Sequence, residues 1–363
     1  MKILHIFGEI NYSGAETMLA RASDEYKKYG VELYALSTGE KPGSFSDVMT
    51  GLGIQVLHLP FSKSFDFFIE LFGLIKTNKF DVIHIHMEKA SVWVSLLAKF
   101  AGVKSIVRTY HSSFDFSGML RLRRIITRFI MRLVGVKGIA IGDSVQMVES
   151  RILYNPTKKI YNWVDEKIFY PAQSADERNK IRNLLSIRSD DFVVITIGAC
   201  SMVKQHEDVL MALMKLKESG FSVKYIHVGD GENNLQERRI TERNGMQRDV
   251  SFVGQVSNVR DFLIASDVLL STSKYEGLSI AQLEAMKCGI PVIAYDTLGQ
   301  RDLIQLKKNG FLIKSGNTEE LQHILEKIIL KKIQLPSINQ VIASVDHINM
   351  QRSVREIIHL YKS

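Results

Sequence analysis

Two glutamates, Glu276 and Glu284, bracket a glycine and a serine in the stretch STSKYEGLSIAQLEAMKCGIPVIAYD (271–296). Ser279, followed three residues later by Gln282, fits a capping box. The spacing therefore predicts a helix from Ile280 to about Lys287 that ends near Gly289, with strands over 268–273 and from Pro291 on either side. Glu276 then lies in a loop (274–278) at the carboxyl end of a strand, and Glu284 lies more than a turn inside the helix. A helix start presents unpaired N–H groups and the positive end of the dipole, which together suit an anion. Gly277 lets a ligand approach the backbone with no Cβ in the way. A carboxylate that accepts from two adjacent hydroxyls suits a ribose diol or a sugar ring, so the pair could hold opposite ends of an elongated phosphate-bearing ligand. Spacing alone equally fits two solvated acids on an ordinary helix.

Other residues at strand ends could do related chemistry. In FGEINYSGAETMLARA (7–22), Ser13-Gly14-Ala15-Glu16 again fits a capping box, and a phosphate or sugar could sit against Gly14. The glycines lack the spacing of a dinucleotide fingerprint, and plain helix capping is the simpler reading. His111 follows the strand KSIVRTY at its carboxyl edge, with Ser112 and Ser113 after it; a lone histidine there is either a structural residue or part of a site. His84 and His86 alternate with Ile83 and Ile85 and share a face. His86, nearer the strand end, is expected to line a cleft, and His84 to be structural. In ITIGACSMVKQHED (195–208) a strand ends in a glycine and Lys204 precedes a helix, where a single lysine is by default a surface residue. HVGDGENN (227–234) and FVGQVSNV (252–259) are strand-end turns around Gly229 and Gly254, glycines that ordinary turns also use.

No metal site is expected. Cys200 and Cys288 have no metal-ligand spacing, and no carboxylate or cysteine near His84 and His86 completes a set. No Asp-x-Asp pair occurs, the nearest being Asp230-Gly231-Glu232. Two cysteines also point to a reducing compartment with no disulfide framework.

These residues need elements to position them. Apolar strand-like runs alternate with amphipathic segments, the mark of an α/β protein with parallel sheets. Strands are expected at 2–8, 31–37, 53–60, 80–86, 104–110 and 138–142, with helices over 15–29, 65–77 and 90–101. The pattern breaks around Tyr161–Asp165, and a charged stretch (176–191) follows. Strands resume at 191–198, 221–229, 249–254, 267–273, 290–296 and 310–313. The chain of 363 residues thus divides into two doubly wound domains, 1–163 and 164–343, joined near 162–175. A polar-faced helix over 344–363 is expected to pack back toward the first domain. Ligands of such sheets bind beyond the carboxyl ends of the strands, so a cleft between the domains is the expected site.

Composition is that of a soluble globular protein, 45% hydrophobic and 24% charged, and no apolar run reaches the roughly 20 residues of a membrane-spanning helix. The start MKILHIFGEI lacks the longer apolar core of a signal peptide and is expected to be a strand. A net charge of +8 invites an anionic partner: nucleic acid, anionic lipid or a phosphorylated substrate. The segment SGMLRLRRIITRFIMRLVG (117–135) concentrates that charge. Its Arg121, Arg123, Arg124, Arg128 and Arg132 accompany apolar residues at helical spacing. Such a helix either lies on an anionic membrane or buries its apolar face with the arginines in solvent. No aromatic-interleaved nucleic-acid motif is present, so nucleic acid is not an expected partner.

The 271–296 stretch, with its E-A-M-x-C-G-x-P-V continuation, resembles the signature of glycosyltransferase family 4, retaining enzymes of the GT-B fold. The resemblance extends over nearly the whole chain and implies two Rossmann-like domains facing across a cleft. It implies that Glu284 binds the ribose of a nucleotide-sugar, that Glu276 contacts the transferred sugar, and that the amides of Leu278 and Ser279 meet the pyrophosphate. It places His111 on the donor sugar, Gly14 in a glycine-rich loop whose first glycine is here Ser13, and Gly229 and Gly254 beside the base. Lys204 matches a lysine that neutralises the pyrophosphate, but Ala199 stands where an arginine is usual, leaving Lys204, backbone dipoles or another cation such as Arg301 to carry that charge. The resemblance further implies a UDP-linked donor, no metal or other cofactor, and front-face retention without an enzymatic nucleophile. It points to a glycan or lipid-linked acceptor, work in the cytoplasm at the inner face of a bacterial membrane, and surface polysaccharide or glycolipid synthesis. Another GT-B enzyme, an epimerase or phosphorylase, and a non-catalytic RNA- or lipid-binding relative stay open at this point.

Overall fold

The computed structural model of the chain describes residues 1–114, 116–306 and 308–363. They form two compact units, Met1–Asp165 with Ile348–Ser363, and Glu166–His347.

The first unit is built on a seven-stranded sheet in which every neighbour pair is parallel. Its strands are β1 (Lys2–Phe7), β2 (Glu32–Ser37), β3 (Gln55–His58), β4 (Val82–Ile85), β5 (Ser105–Tyr110), β6 (Lys137–Ala140) and β7 (Lys158–Lys159), in the order β3-β2-β1-β4-β5-β6-β7. The central strands are buried, β4 and β5 along their whole length and β1 from Ile3 on, as a parallel sheet covered by helices on both faces requires. One face packs Leu4, Ile6, Leu36, Ile83 and Ile85 against helices Phe65–Asn78 and Ser91–Phe100. The other packs Ile3, Phe7, Val82 and Val107 with the C-terminal helix Met350–Lys362, which inserts Val354, Ile357, Ile358 and Tyr361. That helix begins at Asn349, whose side chain accepts from Arg352 N. Ser344 and Val345 close a separate helix, Ile338–Val345, so the expected continuous 344–363 helix is two helices.

The second unit holds β8 (Phe192–Ile197), β9 (Val223–Val228), β10 (Val250–Gly254), β11 (Val268–Ser271), β12 (Val292–Tyr295) and β13 (Gly310–Ile313). Their order, β10-β9-β8-β11-β12-β13, is that of a dinucleotide-fold sheet, with the order reversing between β8 and β11. In the first unit the reversal falls between β1 and β4.

One local expectation needs correction, and two elements carry no signal that the sequence reading used. The 15–29 helix is two, Gly14–Arg21 and Ser23–Lys27, interrupted at Ala22 where no glycine or proline marks a break. The charged 176–191 stretch contains a helix, Ala175–Leu184, capped by Ser174 and fixed by Arg178 and Arg182 on Asp267. The short strand β7 carries two lysines and no apolar signal.

Candidate functional site

β8 and β11 are hydrogen-bonded neighbours flanking the point where the strand order reverses, so the loops at their carboxyl ends open into one crevice. The loop after β8 turns at Gly198, φ +152°, where a Cβ would lie 3.1 Å from Cε of Lys204. Bonds onto its carbonyls tie it to the loop after β11. Thr272 Oγ1 donates to the Lys204 carbonyl at 2.8 Å, and Lys274 N donates to the Val203 carbonyl at 2.8 Å. Lys204 Nζ donates to Glu276 Oε1, and Ser273 Oγ donates to the same oxygen at 3.1 Å. The backbone of Glu276 is fixed as well, since its N–H donates to Leu298 O at 3.0 Å. Gly299 makes that approach possible, because at its φ of +79° a Cβ would lie 2.1 Å from Glu276 O. A lysine ammonium carries three donors, so pairing with Glu276 leaves capacity for an anion.

The next helix runs Ile280–Lys287, and Ser279 caps it by accepting from Gln282 N at 3.5 Å. Only this half of the predicted capping box forms. The Gln282 side chain is fully buried and donates to Gln300 Oε1, which also accepts from Ser271 Oγ at 2.9 Å. Gln282 thus anchors the loop around Gln300 beneath the site instead of reaching back to the cap. Leu278 and Ser279 are buried, and along the helix only Ile280, Ala281 and Glu284 are not. Ile280 and Glu284 stand one turn apart, so Glu284 shares the open face of the helix with its unpaired N-terminal amides.

The geometry has counterparts among known proteins. Residues 12–196 match the family description "Glycosyltransferase Family 4", and residues 177–341 match "Glycosyl transferases group 1". The chain belongs to glycosyltransferase family 4. It is 25% identical to the UDP-Gal:alpha-D-GlcNAc-diphosphoundecaprenol alpha-1,3-galactosyltransferase of Escherichia coli, over 92% of this chain and 89% of that one. It is 24% identical to the capsular polysaccharide biosynthesis glycosyltransferase CapH of Staphylococcus aureus, over 100% and 99%. The structure of Anabaena Alr3699/HepE in complex with UDP and glucose superposes with a TM-score of 0.85 at 22% identity, covering all of both chains. The fold is GT-B, as the paired parallel sheets imply.

In this glycosyltransferase the predicted residues fall into groups. Lys204, Glu276, Gly277, Leu278, Ser279 and Glu284 share the β8–β11 crevice. Gly229 and Gly254 belong to the same unit, bonded to each other from Gly229 N to Gly254 O at 2.8 Å. Gly229, φ +132°, packs so tightly on Gly198 that a Cβ would lie 2.0 Å from its carbonyl oxygen, which is a structural reason for the glycine. Arg301 is engaged elsewhere, with Nε 2.8 Å from Asp296 Oδ1. Ser273, Leu298 and Gly299, which hold Glu276, carry no motif of their own.

The first unit presents a different chemistry. His111 follows β5, and its Nε2 lies 3.0 Å from His86 Nδ1; His86 Nε2 in turn lies 2.9 Å from His5 Nδ1. His84 is bonded to the Tyr361 hydroxyl at 2.5 Å and to Thr109 Oγ1 at 2.7 Å, which accounts for it structurally. Burial holds these rings neutral. It pushes His5 down to about 3, and His84 and His86 well below the usual range. His111 is pushed down to about 4 by burial and by the neighbouring Arg108 guanidinium. His111 therefore offers an uncharged imidazole at neutral pH. Gly14 opens the helix Gly14–Arg21 and is exposed, but the predicted cap differs: the Ser13 hydroxyl donates to the Glu16 carboxylate and makes no bond to a helix amide.

The arginine-rich segment forms the helix Gly118–Leu133 and corrects the simpler expectation for it. Arg128 is buried, bonded to Glu149 at 2.9 and 3.0 Å and to Glu88 at 3.0 Å, and Arg124 also donates to Glu88. Met119, Leu122, Ile126, Phe129 and Leu133 are 50–80% exposed. The apolar stripe faces outward, and the arginines that fold back hold the helix down. No helix among the described residues is long and apolar enough to cross a membrane.

Proposed function

We propose that this glycosyltransferase moves a hexosyl unit, with retention, from a UDP-sugar to a glycan or lipid-linked acceptor in bacterial surface polysaccharide or glycolipid assembly. The observation that carries the reading is the Lys204–Glu276 pair beside the capped helix start, with Glu284 on the same open face. Glu284 accepts from the ribose hydroxyls, and the 278–281 backbone with Lys204 takes the diphosphate. Gly229 and Gly254 border the base, and Gly14 borders the sugar.

As the bond from the sugar C1 to the diphosphate oxygen breaks, negative charge gathers on the leaving group, where Lys204 and the helix amides stabilise it. Glu276 orients the sugar, and His111 serves it as a neutral hydrogen-bonding partner. The acceptor hydroxyl attacks C1 from the face the diphosphate leaves, and its proton passes to a diphosphate oxygen, so no enzymatic nucleophile is consumed. Lys204 and backbone dipoles supply the charge stabilisation, so the reaction needs no metal.

The UDP-galactose named for the Escherichia coli relative and the capsular polysaccharide named for the Staphylococcus aureus one support the donor and pathway classes. The outward stripe of the Gly118–Leu133 helix, with Arg123 and Arg132 exposed beside it, supports an anionic lipid surface as the place of work. The test is a panel of UDP-, GDP- and ADP-sugars assayed for hydrolysis and transfer, with and without added Mg²⁺. UDP-sugar turnover that Mg²⁺ does not raise, and that Glu276→Ala abolishes, is expected. Turnover unaffected by Glu276→Ala overturns the site assignment. A chain that binds UDP tightly but turns over none of the panel is a binding protein instead.

A further inference from the structure

Below the crevice, the second unit encloses four side chains that neither the donor nor the transfer uses. Cys200 comes from the loop after β8, His206 from the start of helix His206–Glu218, His227 from β9 and Glu237 from helix Asn234–Arg243. Their exposures are 0, 4, 0 and 1%. One ligand atom from each falls within 4.8 Å of all the others. Cys200 Sγ is 3.2 Å from His227 Nε2, and His206 Nδ1 is 3.4 Å from Glu237 Oε1. A tetrahedral zinc, with bonds of ~2.0–2.3 Å, spaces its ligands ~3.4–3.6 Å apart, so these separations need only small adjustment.

Without an ion the arrangement is poorly satisfied. His206 Nδ1 and Glu237 Oε2 are buried and have no hydrogen-bond partner. A buried carboxylate also calls for a countercharge. The adjacent Arg238 does not supply it, being exposed and turned onto Asn234 and the Phe252 ring. Glu237 Oε2 lies 3.5 Å from His227 Nδ1, a second ring nitrogen of the same cluster.

We propose that Cys200, His206, His227 and Glu237 form a closed tetrahedral site for zinc. The Cys200 thiol releases its proton to solvent on binding, and one thiolate plus one carboxylate cancel the two positive charges of the ion. Mixed sulfur, nitrogen and oxygen donors suit zinc and not magnesium or calcium, which take oxygen alone. His227 Nε2, beside Cys200, is the ligand nitrogen, and its Nδ1 is then oriented by the Tyr225 hydroxyl at 3.1 Å. Four protein ligands leave no open position, so the ion is structural. Its effect on the site is positional. Cys200 sits in the loop that carries Lys204, and that loop is already pinned to the next by Cys200 N to Asp230 O at 3.1 Å and Asn233 N to Cys200 O at 3.0 Å.

The full chain tests this directly. Metal content is measured by plasma mass spectrometry on purified protein, then thermal unfolding is followed after stripping with phenanthroline and on adding back zinc chloride. Stoichiometric zinc, a fall in Tm on stripping and its recovery with zinc are expected. Cobalt(II) in the stripped protein should give intense tetrahedral visible bands and a thiolate-to-cobalt charge-transfer band in the near ultraviolet. Cys200→Ser should lose the charge-transfer band alone, and Glu237→Gln should weaken zinc binding at least tenfold. Where a variant fails to fold, the wild-type stripping and cobalt spectra decide. Protein that purifies without zinc and shows no Tm shift on its addition overturns the site. So does zinc binding that both variants leave intact. The readouts are independent of sugar transfer, so their failure leaves the transferase reading untouched.

Discussion

Around Glu276 a lysine, two carboxylates and a helix start gather on loops after two neighbouring strands; around His111 a row of uncharged imidazoles gathers from β1, β4 and β5. The first arrangement concentrates charge and suits a diphosphate. The second excludes charge by burial and suits the uncharged part of a sugar. The difference lies in where each site stores its cost: the charged one in held ion pairs, the neutral one in histidines that refuse protons. Each can be broken separately.

The largest expected effect is at the charged site. Glu276→Ala should lower kcat by about 10³-fold, the scale for removing a fixed electrostatic partner from a transition state. Circular dichroism should show the fold intact, because the Glu276 side chain is half-buried in a loop, bonded to Lys204 and Ser273, and lies outside the hydrophobic core of the unit. Activity within tenfold of wild type would remove the charged site from the mechanism. Glu284→Ala should follow, with UDP affinity measured by isothermal titration falling about 10–100-fold, since hydrogen bonds to a charged group contribute roughly 1.5–3 kcal/mol. A KM effect without a matching kcat effect sharpens the division between ribose holding and sugar orientation.

At the neutral site the effects are smaller. His111→Gln keeps a hydrogen-bonding side chain and should lower kcat about tenfold. Because wild-type His111 titrates at about 4, kcat/KM should show no limb near pH 6.5 and should fall only as the pH approaches 4. A limb near 6.5 that His111→Gln removes would make it a proton carrier.

The neighbouring histidines test the same contrast through stability. His5 and His84 have folded values depressed below the unfolded 6.5, so above pH 6.5 neither state binds extra protons. As pH falls through 6.5, the unfolded chain takes up protons that the folded rings refuse. Stability should therefore fall with acid, by about 1.4 kcal/mol per pH unit for each such histidine. Urea midpoints at pH 7 and pH 5 read this, and an unchanged midpoint would mean that the row accepts protons while folded.

The contrast also decides what the sequence could show. Glu276, Gly277, Ser279 and Glu284 are consecutive on one strand–loop–helix unit, so capping rules and the 3.6-residue period expose them, and the helix Ile280–Lys287 lies where the spacing puts it. The strands of both sheets other than β7 are legible as well, since buried parallel strands read as short apolar runs. Cys200, His206, His227 and Glu237 come from four segments with no short spacing, and only the β8–β9 pairing and the packing of the next helix bring them together. The half-formed box at Gln282 fails for a tertiary reason: its side chain is spent on Gln300, 18 residues on. Arg124 and Arg128 misled in the same way, because partners at Glu88 and Glu149 turn them inward and so turn the apolar residues out.

That reversal sets the smallest effect on the fold and a clear one on location. Ile126 and Phe129 are each 50% exposed, so replacing both by serine removes little buried area. Surface changes of this kind move stability by no more than about 0.5 kcal/mol, and the urea midpoint should hold. If the stripe rests on a membrane, the same double variant loses apolar contact with the acyl boundary while Arg123 and Arg132 keep their charge. Co-sedimentation should then fall for vesicles of phosphatidylglycerol, with activity on a soluble acceptor unchanged. Arg123→Ser with Arg132→Ser should weaken binding to those vesicles chiefly at low salt, since exposed charges are screened within about 10 Å at 0.1 M. Binding that survives both double variants would assign the stripe to another contact.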